Sequence, residues 1–376
     1  MTRLPAVPCV LLGILVQFAG MSAASAQPPC PSCVSADSLI RRFRLTEAST
    51  PIRQSAGWRS PVRIVTFGGR EWAAALKAIA PAAEIIGVSS DAAALAALPD
   101  ADVYIGQCYP DVIRVGTRLR WVQMVSAGAE RCANLPEVSQ RGITLTNAQA
   151  IYAPAMADHA MTLLLTLSRR MQLFHEQQRG GVWRHDAANA GMFELEGKTM
   201  LVLGLGGIGT EIASRAHAFG MRVIATRNSS REGPAFVDYV GLSNEAATLA
   251  ARADVVVNVV PLTPESRRIY DAAFFRSMKE TALFINIGRG ETVVTSALVE
   301  ALRARRLAGA ALDVTDPEPL PPNHPLWKMP NVVLTPHAGG ASDVADRRLL
   351  VLAIENLRRY VGGDRMLSVV DPRRGY

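Results

Sequence analysis

The segment that most constrains the fold of this chain is the hexapeptide GLGGIG at residues 204–209. It follows a short apolar run, Met200–Leu203, and leads directly into a helical pattern. Gly204 permits a tight turn at the end of a strand, and Gly209 lets the following helix pack closely on that strand. Such a strand–turn–helix unit predicts a parallel sheet covered by helices.

The same turn predicts a dinucleotide site. Gly206 lets the backbone approach a pyrophosphate, and the N-terminus of the next helix presents unpaired N–H groups to that anion. A glycine pattern alone is weak evidence, but here a strand precedes it and a helix follows it. A glycine turn without a ligand is the alternative.

The end of the following strand, Val223–Ala225, bears on the choice of nicotinamide cofactor. An NAD site usually has an acidic residue there, which binds the ribose 2′-hydroxyl. This chain has none, and a guanidinium among polar residues can hold a 2′-phosphate instead. We therefore predict a preference for NADP(H), with NAD possible if the guanidinium stacks on adenine. The predicted contacts are Thr226, Arg227, Asn228 and Ser229.

Short apolar runs alternate with helical patterns along most of the chain, which predicts an α/β fold with two doubly wound parallel-sheet lobes. Candidate strands of the first lobe are 62–67, 84–88, 102–105, 121–125 and 143–146. Those of the second lobe are 200–203, 222–225, 254–259, 282–286, 309–313 and 332–334.

Two helical patterns connect the predicted lobes. One runs from about 155 to 180, and the last, near 344–360, is expected to return to the first lobe. The first domain is therefore predicted to be discontinuous. The predicted boundaries are a signal peptide at 1–26, a tail at 27–60 with a short helix near 37–45, a substrate domain at 61–153 plus 338–376, and a dinucleotide-binding domain at 154–337.

The N-terminus has the pattern of a secretory signal: Arg3, an apolar stretch centred on 10–16, and the small residues Ala24-Ser25-Ala26. The apolar stretch is short for a transmembrane helix, which needs about 20 residues. We expect an exported, periplasmic protein without membrane attachment if the signal is cleaved, and a cytoplasmic one otherwise. An uncleaved anchor and an early start codon are alternatives.

Cysteine content and charge bear on which other functions the chain could have. Removing 1–26 leaves Cys30, Cys33, Cys108 and Cys132, an even number that permits disulfides in an oxidising compartment. The first two have redox-pair spacing, which leaves an exported redox module as an alternative function. No metal-ligand spacing is present. The formal net charge of +7 comes from scattered arginines, so no nucleic-acid partner is predicted.

Three charged residues follow three of the later candidate strands. Arg289 can clamp a carboxylate with two hydrogen bonds. His337 carries a ring that titrates near ~6.5 when free, and Glu318 supplies an anion. Because ligands gather at the carboxyl ends of strands in this fold, the three predict hydride exchange with a 2-oxo acid.

The segment from Gly204 to Gly340 resembles the D-isomer-specific 2-hydroxyacid dehydrogenase family, and the resemblance covers roughly residues 62–360. The matching segments are PLTPES at 261–266, GRG at 288–290, ALDV at 311–314, HPLW at 324–327, SAGA at 126–129 and ADH at 157–159. The resemblance implies a Rossmann coenzyme domain, a smaller flavodoxin-like substrate domain and a homodimer.

The resemblance also implies roles for individual residues. Arg289 binds the carboxylate and the keto oxygen of the acid, His337 is the general acid of reduction, and Glu318 orients His337. Backbone N–H groups of the other lobe hold the carboxylate; they belong to Ala127, Gly128 and Ala129. The implied cofactor contacts are Gly204, Gly206, Gly207, Ile208, Gly209, Pro261, Ile287, Asp313, His337 and Gly339, and Asp313 is expected to bind the nicotinamide carboxamide.

Some questions stay open at this stage. A nucleotide-sensing binding protein on the same scaffold is an alternative function, since such proteins can keep all three charged residues. His159 is expected to make a packing or interlobe contact. The substrate is expected to be a small 2-oxo acid such as glyoxylate or hydroxypyruvate.

Overall fold

The structure, a computed structural model, describes residues 35–184 and 191–372. The predicted signal peptide, Cys30 and Cys33 lie outside these residues. Two parallel β-sheets with helices on their faces make up the described chain, as the alternation of apolar runs and helical patterns predicts.

The first sheet has five strands in the order β2-β1-β3-β4-β5, with every neighbouring pair parallel. This order is the flavodoxin-like one. The strands are β1 Arg63–Thr66, β2 Glu84–Gly87, β3 Val103–Gly106, β4 Trp121–Met124 and β5 Thr144–Thr146. The helices of this part are α1 Ala36–Phe43, α2 Gly69–Lys77, α3 Asp91–Ala97, α4 Pro110–Val115, α5 Glu130–Ala133 and α6 Pro136–Gln140.

The second sheet has seven parallel strands in the order β12-β11-β10-β9-β6-β7-β8. The strands are β6 Thr199–Leu203, β7 Arg222–Thr226, β8 Tyr239–Gly241, β9 Val255–Asn258, β10 Leu283–Asn286, β11 Gly309–Leu312 and β12 Val332–Leu334. Strand order reverses between β6 and β9, so the crevice for a dinucleotide opens beyond β6. β8 is a three-residue edge strand that the apolar runs did not indicate.

Helices cover both faces of the second sheet and divide its core into two clusters. They are α7 Ala153–Ser168, α8 Met171–Arg179, α9 Gly207–Ala218, α10 Ala246–Ala250, α11 Ala272–Ser277 and α12 Thr295–Arg303. The prediction of one helix over about 155–180 was wrong: Arg170 has φ +54, and this left-handed residue separates α7 from α8. The buried residues of α7 extend to Ser168, at the end of that helix, whereas α8 has no buried residue.

The C-terminal helix, α13 Ala345–Gly362, packs on the first sheet. Its residues Leu357 and Tyr360 join a core cluster with Ile64 and Trp121, and the rings of Trp121 and Tyr360 stack 5.1 Å apart. Ile52 belongs to the same cluster, so part of the predicted tail is packed against the lobe. Among the described residues, no helix has the length and apolar character needed to cross a membrane.

Candidate active site

The three predicted catalytic residues follow three adjacent strands. β10, β11 and β12 pair side by side in parallel, with Asn286 opposite Leu312 and Leu312 opposite Leu334. Arg289, Glu318 and His337 come three, six and three residues after these strands end. Parallel pairing therefore delivers all three loops to one edge of the sheet.

His337 and Glu318 form the pair that the sequence predicted. The Nδ1 atom of His337 lies 2.7 Å from Oε1 of Glu318, and the two side chains are 45% and 41% exposed. With Nδ1 engaged by the carboxylate, Nε2 is the ring atom left to exchange a proton with a substrate.

Asp313 supports the loop that carries His337. Its carboxylate is buried and accepts hydrogen bonds from the Thr335 hydroxyl and from the backbone N–H groups of Ala338 and Gly339. Burial alone would raise the pKa of Asp313, but these bonds and one from His159 outweigh it and hold that pKa well below its usual range. The predicted contact of Asp313 with the nicotinamide carboxamide remains a prediction, made by a carboxylate that is already engaged within the protein.

Arg289 reaches from the second sheet to the first. Its Nε donates to Oε1 of Glu130 at 2.8 Å, and its Nη1 donates to the carbonyl of Gly288 at 2.8 Å. A Cβ on Gly128 would overlap the Arg289 guanidinium, so the arginine lies directly against the predicted substrate loop. Burial alone would raise the pKa of Glu130, but the adjacent Arg289 holds it below its ordinary value. Glu130 is not among the site residues predicted from the sequence, and this ion pair was not predicted.

The predicted substrate loop at 127–129 is held from both sides. Ser126 Oγ donates to the carbonyl of Gly128 at 2.8 Å, and Asn147 Nδ2 donates to the carbonyl of Ala127 at 2.8 Å. Ala129 is buried and directly precedes α5. With its carbonyls engaged, the loop has backbone N–H groups to offer to a carboxylate beside Arg289.

A disulfide joins Cys108 to Cys132, 24 residues apart in sequence. Cys108 follows β3 and Cys132 lies in α5, the short helix that begins with Glu130. Both cysteines are buried. The even cysteine count permitted disulfides, but this pairing was not predicted, because the sequence does not show which strand ends adjoin.

The glycine turn fits a dinucleotide. Gly204 has φ +99, a left-handed conformation that favours glycine, and a Cβ on Gly209 would overlap the carbonyl of Gly204. Nothing lies within 4 Å of the Cβ position on Gly206, so the backbone there is open to a ligand. These residues stand at the N-terminus of α9, together with Gly207 and Ile208. The backbone can thus receive a pyrophosphate.

The end of β7 has no acidic residue directly after it, and two arginines, Arg227 and Arg231, lie in the loop that follows. The Arg227 side chain donates to the Glu232 carbonyl at 3.2 Å in an exposed contact. Glu232 follows Arg231 and is exposed, and Glu245 is paired with Arg231 at 2.8 Å. Asn228 accepts a hydrogen bond from Ser243, and Ser229 is exposed. Thr226, by contrast, is buried, and its hydroxyl accepts from the N–H of Gly204, so it supports the glycine turn.

The remaining predicted contacts divide by exposure. Pro261 is exposed, while Ile287 lies in the core with its N–H bonded to the Asn258 carbonyl. Gly339 is buried against Asp313 and His159.

Within 35–184 and 191–372, no group of three or more His, Cys, Asp or Glu side chains could hold a metal ion.

Comparison with known proteins agrees with this geometry. The family model of the D-isomer specific 2-hydroxyacid dehydrogenase NAD binding domain matches residues 161–339. A glyoxylate reductase of Korarchaeum cryptofilum is 35% identical over 260 residues, which are 68% of this chain and 76% of that protein. The human glyoxylate reductase/hydroxypyruvate reductase is 35% identical over 255 residues, 67% of this chain and 77% of that one.

The chain belongs to the D-isomer specific 2-hydroxyacid dehydrogenase family. A solved relative is an NADPH-dependent glyoxylate/hydroxypyruvate reductase of Sinorhizobium meliloti in complex with NADP and sulfate. It has 28% sequence identity and a TM-score of 0.71, over 85% of this chain and all of that one. As a 2-hydroxyacid dehydrogenase, the protein is an oxidoreductase that interconverts 2-oxo acids and 2-hydroxy acids with a nicotinamide cofactor.

Proposed function

We propose that this 2-hydroxyacid dehydrogenase is an exported, homodimeric reductase that prefers NADPH and acts on small 2-oxo acids of the glyoxylate and hydroxypyruvate class. The observation that carries the chemical part is the joint placement of the His337–Glu318 pair and the Arg289 guanidinium at one edge of the second sheet. Relatives named as glyoxylate reductases support the substrate class.

Each of the predicted site residues has a separate role in the proposed reaction. Arg289 and the N–H groups of 127–129 bind the carboxylate of the acid, and the same guanidinium polarises its keto oxygen. A nicotinamide bound there would supply the hydride that reduces C2. The imidazolium of His337 donates its Nε2 proton to the developing alkoxide oxygen. Glu318 holds the ring at Nδ1 and stabilises its positive charge.

The preference for NADPH rests on the end of β7. An acid directly after the strand would repel a 2′-phosphate. The chain instead offers the half-buried side chain of Arg227 beside the exposed Asn228 and Ser229. Solved relatives hold NADPH or NADP, among them proteins of Xanthobacter autotrophicus and Sinorhizobium meliloti.

A panel of 2-oxo acids assayed with NADPH and with NADH tests the chemical proposal. We expect reduction of the small acids, a higher kcat/KM with NADPH, and a loss of about 10²- to 10⁴-fold in kcat for His337→Ala, because the general acid is removed. His217→Ala, an exposed histidine on α9, is the control. Comparable turnover in the His337 variant would contradict the assignment, and a clear NADH preference would contradict the cofactor choice.

Homodimer formation is supported by apolar side chains around α8. Trp183 is 99% exposed, and Met171 and Val182 are 51% and 43% exposed, which is costly unless another surface covers them. Light scattering of the wild type should give twice the chain mass, and Trp183→Ser should weaken the assembly. A monomeric wild type at micromolar concentration would contradict this part.

Export is supported by the signal pattern at 1–26 and by the buried Cys108–Cys132 disulfide, a bond typical of oxidising compartments. An exported enzyme must carry its cofactor with it or receive it after export. Mass spectrometry of the N-terminus in fractionated cells tests this: a mature chain starting at Gln27 outside the cytoplasm is expected, and an intact cytoplasmic chain would contradict export.

A further inference from the structure

The catalytic histidine has an unusual backbone. His337 has φ +53, in the left-handed region that favours glycine. For a residue with a Cβ this conformation costs free energy, and it persists where the surroundings enforce it. The residues that hold it in place are therefore part of the catalytic apparatus.

Asp313 holds this segment with three successive backbone N–H groups. The N–H of His337 donates to the Asp313 carbonyl at 2.8 Å. Those of Ala338 and Gly339 donate to its two carboxylate oxygens at 2.9 and 3.0 Å. One aspartate thus fixes three consecutive residues, of which His337 is the first.

The Asp313 carboxylate is itself held by two side chains. Thr335 donates its hydroxyl proton to Oδ1 at 2.6 Å, and the hydroxyl oxygen lies 2.9 Å from Nε2 of His159. That Nε2 is also 3.2 Å from Oδ1 of Asp313. Since both neighbours are acceptors, Nε2 carries a proton and donates it. His159 lies on α7, 176 residues from Thr335.

The segment after His337 is also closely packed at Gly339. A Cβ at Gly339 would lie 2.9 Å from Oδ2 of Asp313, 3.2 Å from Cδ2 of His159 and 3.2 Å from Sδ of Met156. The segment after His337 is therefore pressed against α7, and a shift of the His159 ring would be passed to it directly.

We propose that His159 and Thr335 are positioning residues for catalysis. Together they fix the Asp313 carboxylate as the acceptor of the 338–339 backbone, and so hold His337 at the angle from which Nε2 faces the substrate. The inference rests on the proposed reductase function, to which it adds two residues without a direct contact to substrate.

The expected kinetic effect separates orientation from binding. Removing the support leaves Arg289 and the 127–129 loop in place, so the KM for the 2-oxo acid should stay within about threefold. Misplacing a catalytic group by about 1 Å can cost ~10²-fold in rate, so kcat should fall by about 10- to 100-fold.

Four variants and a control test this. Thr335→Val and His159→Leu each remove a donor, and both should lower kcat. Thr335→Ser restores the hydroxyl, and His159→Gln places a donor near the position of Nε2, so both should recover most of the activity. Thr162→Val is the matched control, because Thr162 lies on the same helix with its hydroxyl bonded only locally, to the Asp158 carbonyl.

Hydrogen exchange of the backbone amides, followed by mass spectrometry of peptides covering 335–341, gives a readout without turnover. Exchange at 337–339 should speed up in Thr335→Val and His159→Leu and stay at the wild-type rate in the Ser, Gln and control variants. Wild-type kcat with unchanged exchange in both loss variants would overturn the inference. If the wild type reduces no 2-oxo acid, the proposed function fails, while the exchange rates still decide whether these residues support His337.

Discussion

At the scale of single residues, three carboxylates differ in their surroundings. Asp313 and Asp102 are buried hydrogen-bond acceptors, whereas Glu318 is exposed and contacts the imidazole of His337. Each of the two buried side chains receives several hydrogen bonds. The buried carboxylates hold backbone segments in place, while the exposed one holds the ring that is proposed to exchange a proton with the substrate.

Asp102 gives a pH-dependent prediction. It accepts from the backbone N–H groups of Val62 and Arg63 and from Arg59 at 2.6 Å. Burial alone would raise the pKa of Asp102, but these bonds lower it below its ordinary value of 3.8. A carboxylate with a lowered pKa in the folded state stabilises the protein above its unfolded-state pKa, and the stabilisation is lost as pH falls towards the folded-state pKa.

Asp102→Asn should therefore lower the free energy of unfolding at pH 7 by about 1.5–3 kcal/mol, the range for hydrogen bonds to a charged group. The difference in stability between this variant and the wild type should shrink as the pH falls below about 4, because the wild type then loses the same contribution. Calorimetric Tm values between pH 7 and pH 3 measure both effects. Asp100→Asn, an exposed neighbour, should change little, and equal losses for the two variants would contradict the prediction.

At the scale of elements, the glycine turn contributes to folding and to binding through different positions. Gly209 packs α9 on β6, where a Cβ would overlap the Gly204 carbonyl. Gly206 has open space at its Cβ position in the structure, the space that a pyrophosphate is predicted to need.

The two alanine variants should differ accordingly. Gly209→Ala forces helix and strand apart, so its Tm should fall in the free protein. Gly206→Ala should keep the wild-type Tm and bind NADPH at least tenfold more weakly, because its methyl group enters the ligand space. Calorimetry and NADPH fluorescence titration measure the two effects, and a Gly206 variant with full affinity would place the pyrophosphate elsewhere.

The disulfide links two elements of the substrate lobe. It closes a loop of 24 residues between the end of β3 and α5. A loop of that length corresponds to about 3–4 kcal/mol of unfolded-state entropy in the chain-entropy model.

Reducing the disulfide with a thiol reagent should lower the Tm of the wild type. The same treatment should leave the Tm of a Cys108→Ala/Cys132→Ala double variant unchanged. A thiol count on the unfolded, unreduced protein establishes whether the bond forms. Equal sensitivity of both proteins to reductant would show that another bond carries the effect.

At the scale of the whole molecule, the active site depends on both sheets. Arg289 comes from the second sheet and Glu130 from the first, and their ion pair spans 159 positions in sequence. The Arg289 guanidinium is thus held by a carboxylate of the opposite lobe.

Glu130→Gln tests this interlobe contact. It weakens the charge that orients Arg289, so the KM for the 2-oxo acid should rise about tenfold while the affinity for NADPH stays unchanged. Glu137→Gln, on the neighbouring helix α6, is the matched control. An unchanged KM would show that Arg289 finds its position without Glu130.

Sequence reasoning predicted most of this architecture and the pairing of His337 with Glu318. Apolar runs located eleven of the twelve strands, because buried parallel strands are continuous in hydrophobic residues. β8 was missed because its residues, an exposed Tyr239, Val240 and Gly241, do not form an apolar run. The helix break at Arg170 was missed because the helical pattern continues across it.

The sequence by itself determined the fold class, the glycine turn and the identities of Arg289, Glu318 and His337, because each follows from local spacing on the chain. Tertiary structure decided which distant residues serve them: Glu130 beside Arg289, and His159 with Thr335 beside Asp313. It also paired Cys108 with Cys132. These contacts join segments up to 176 residues apart, and the chain has no local pattern that brings such segments together before the sheets pack.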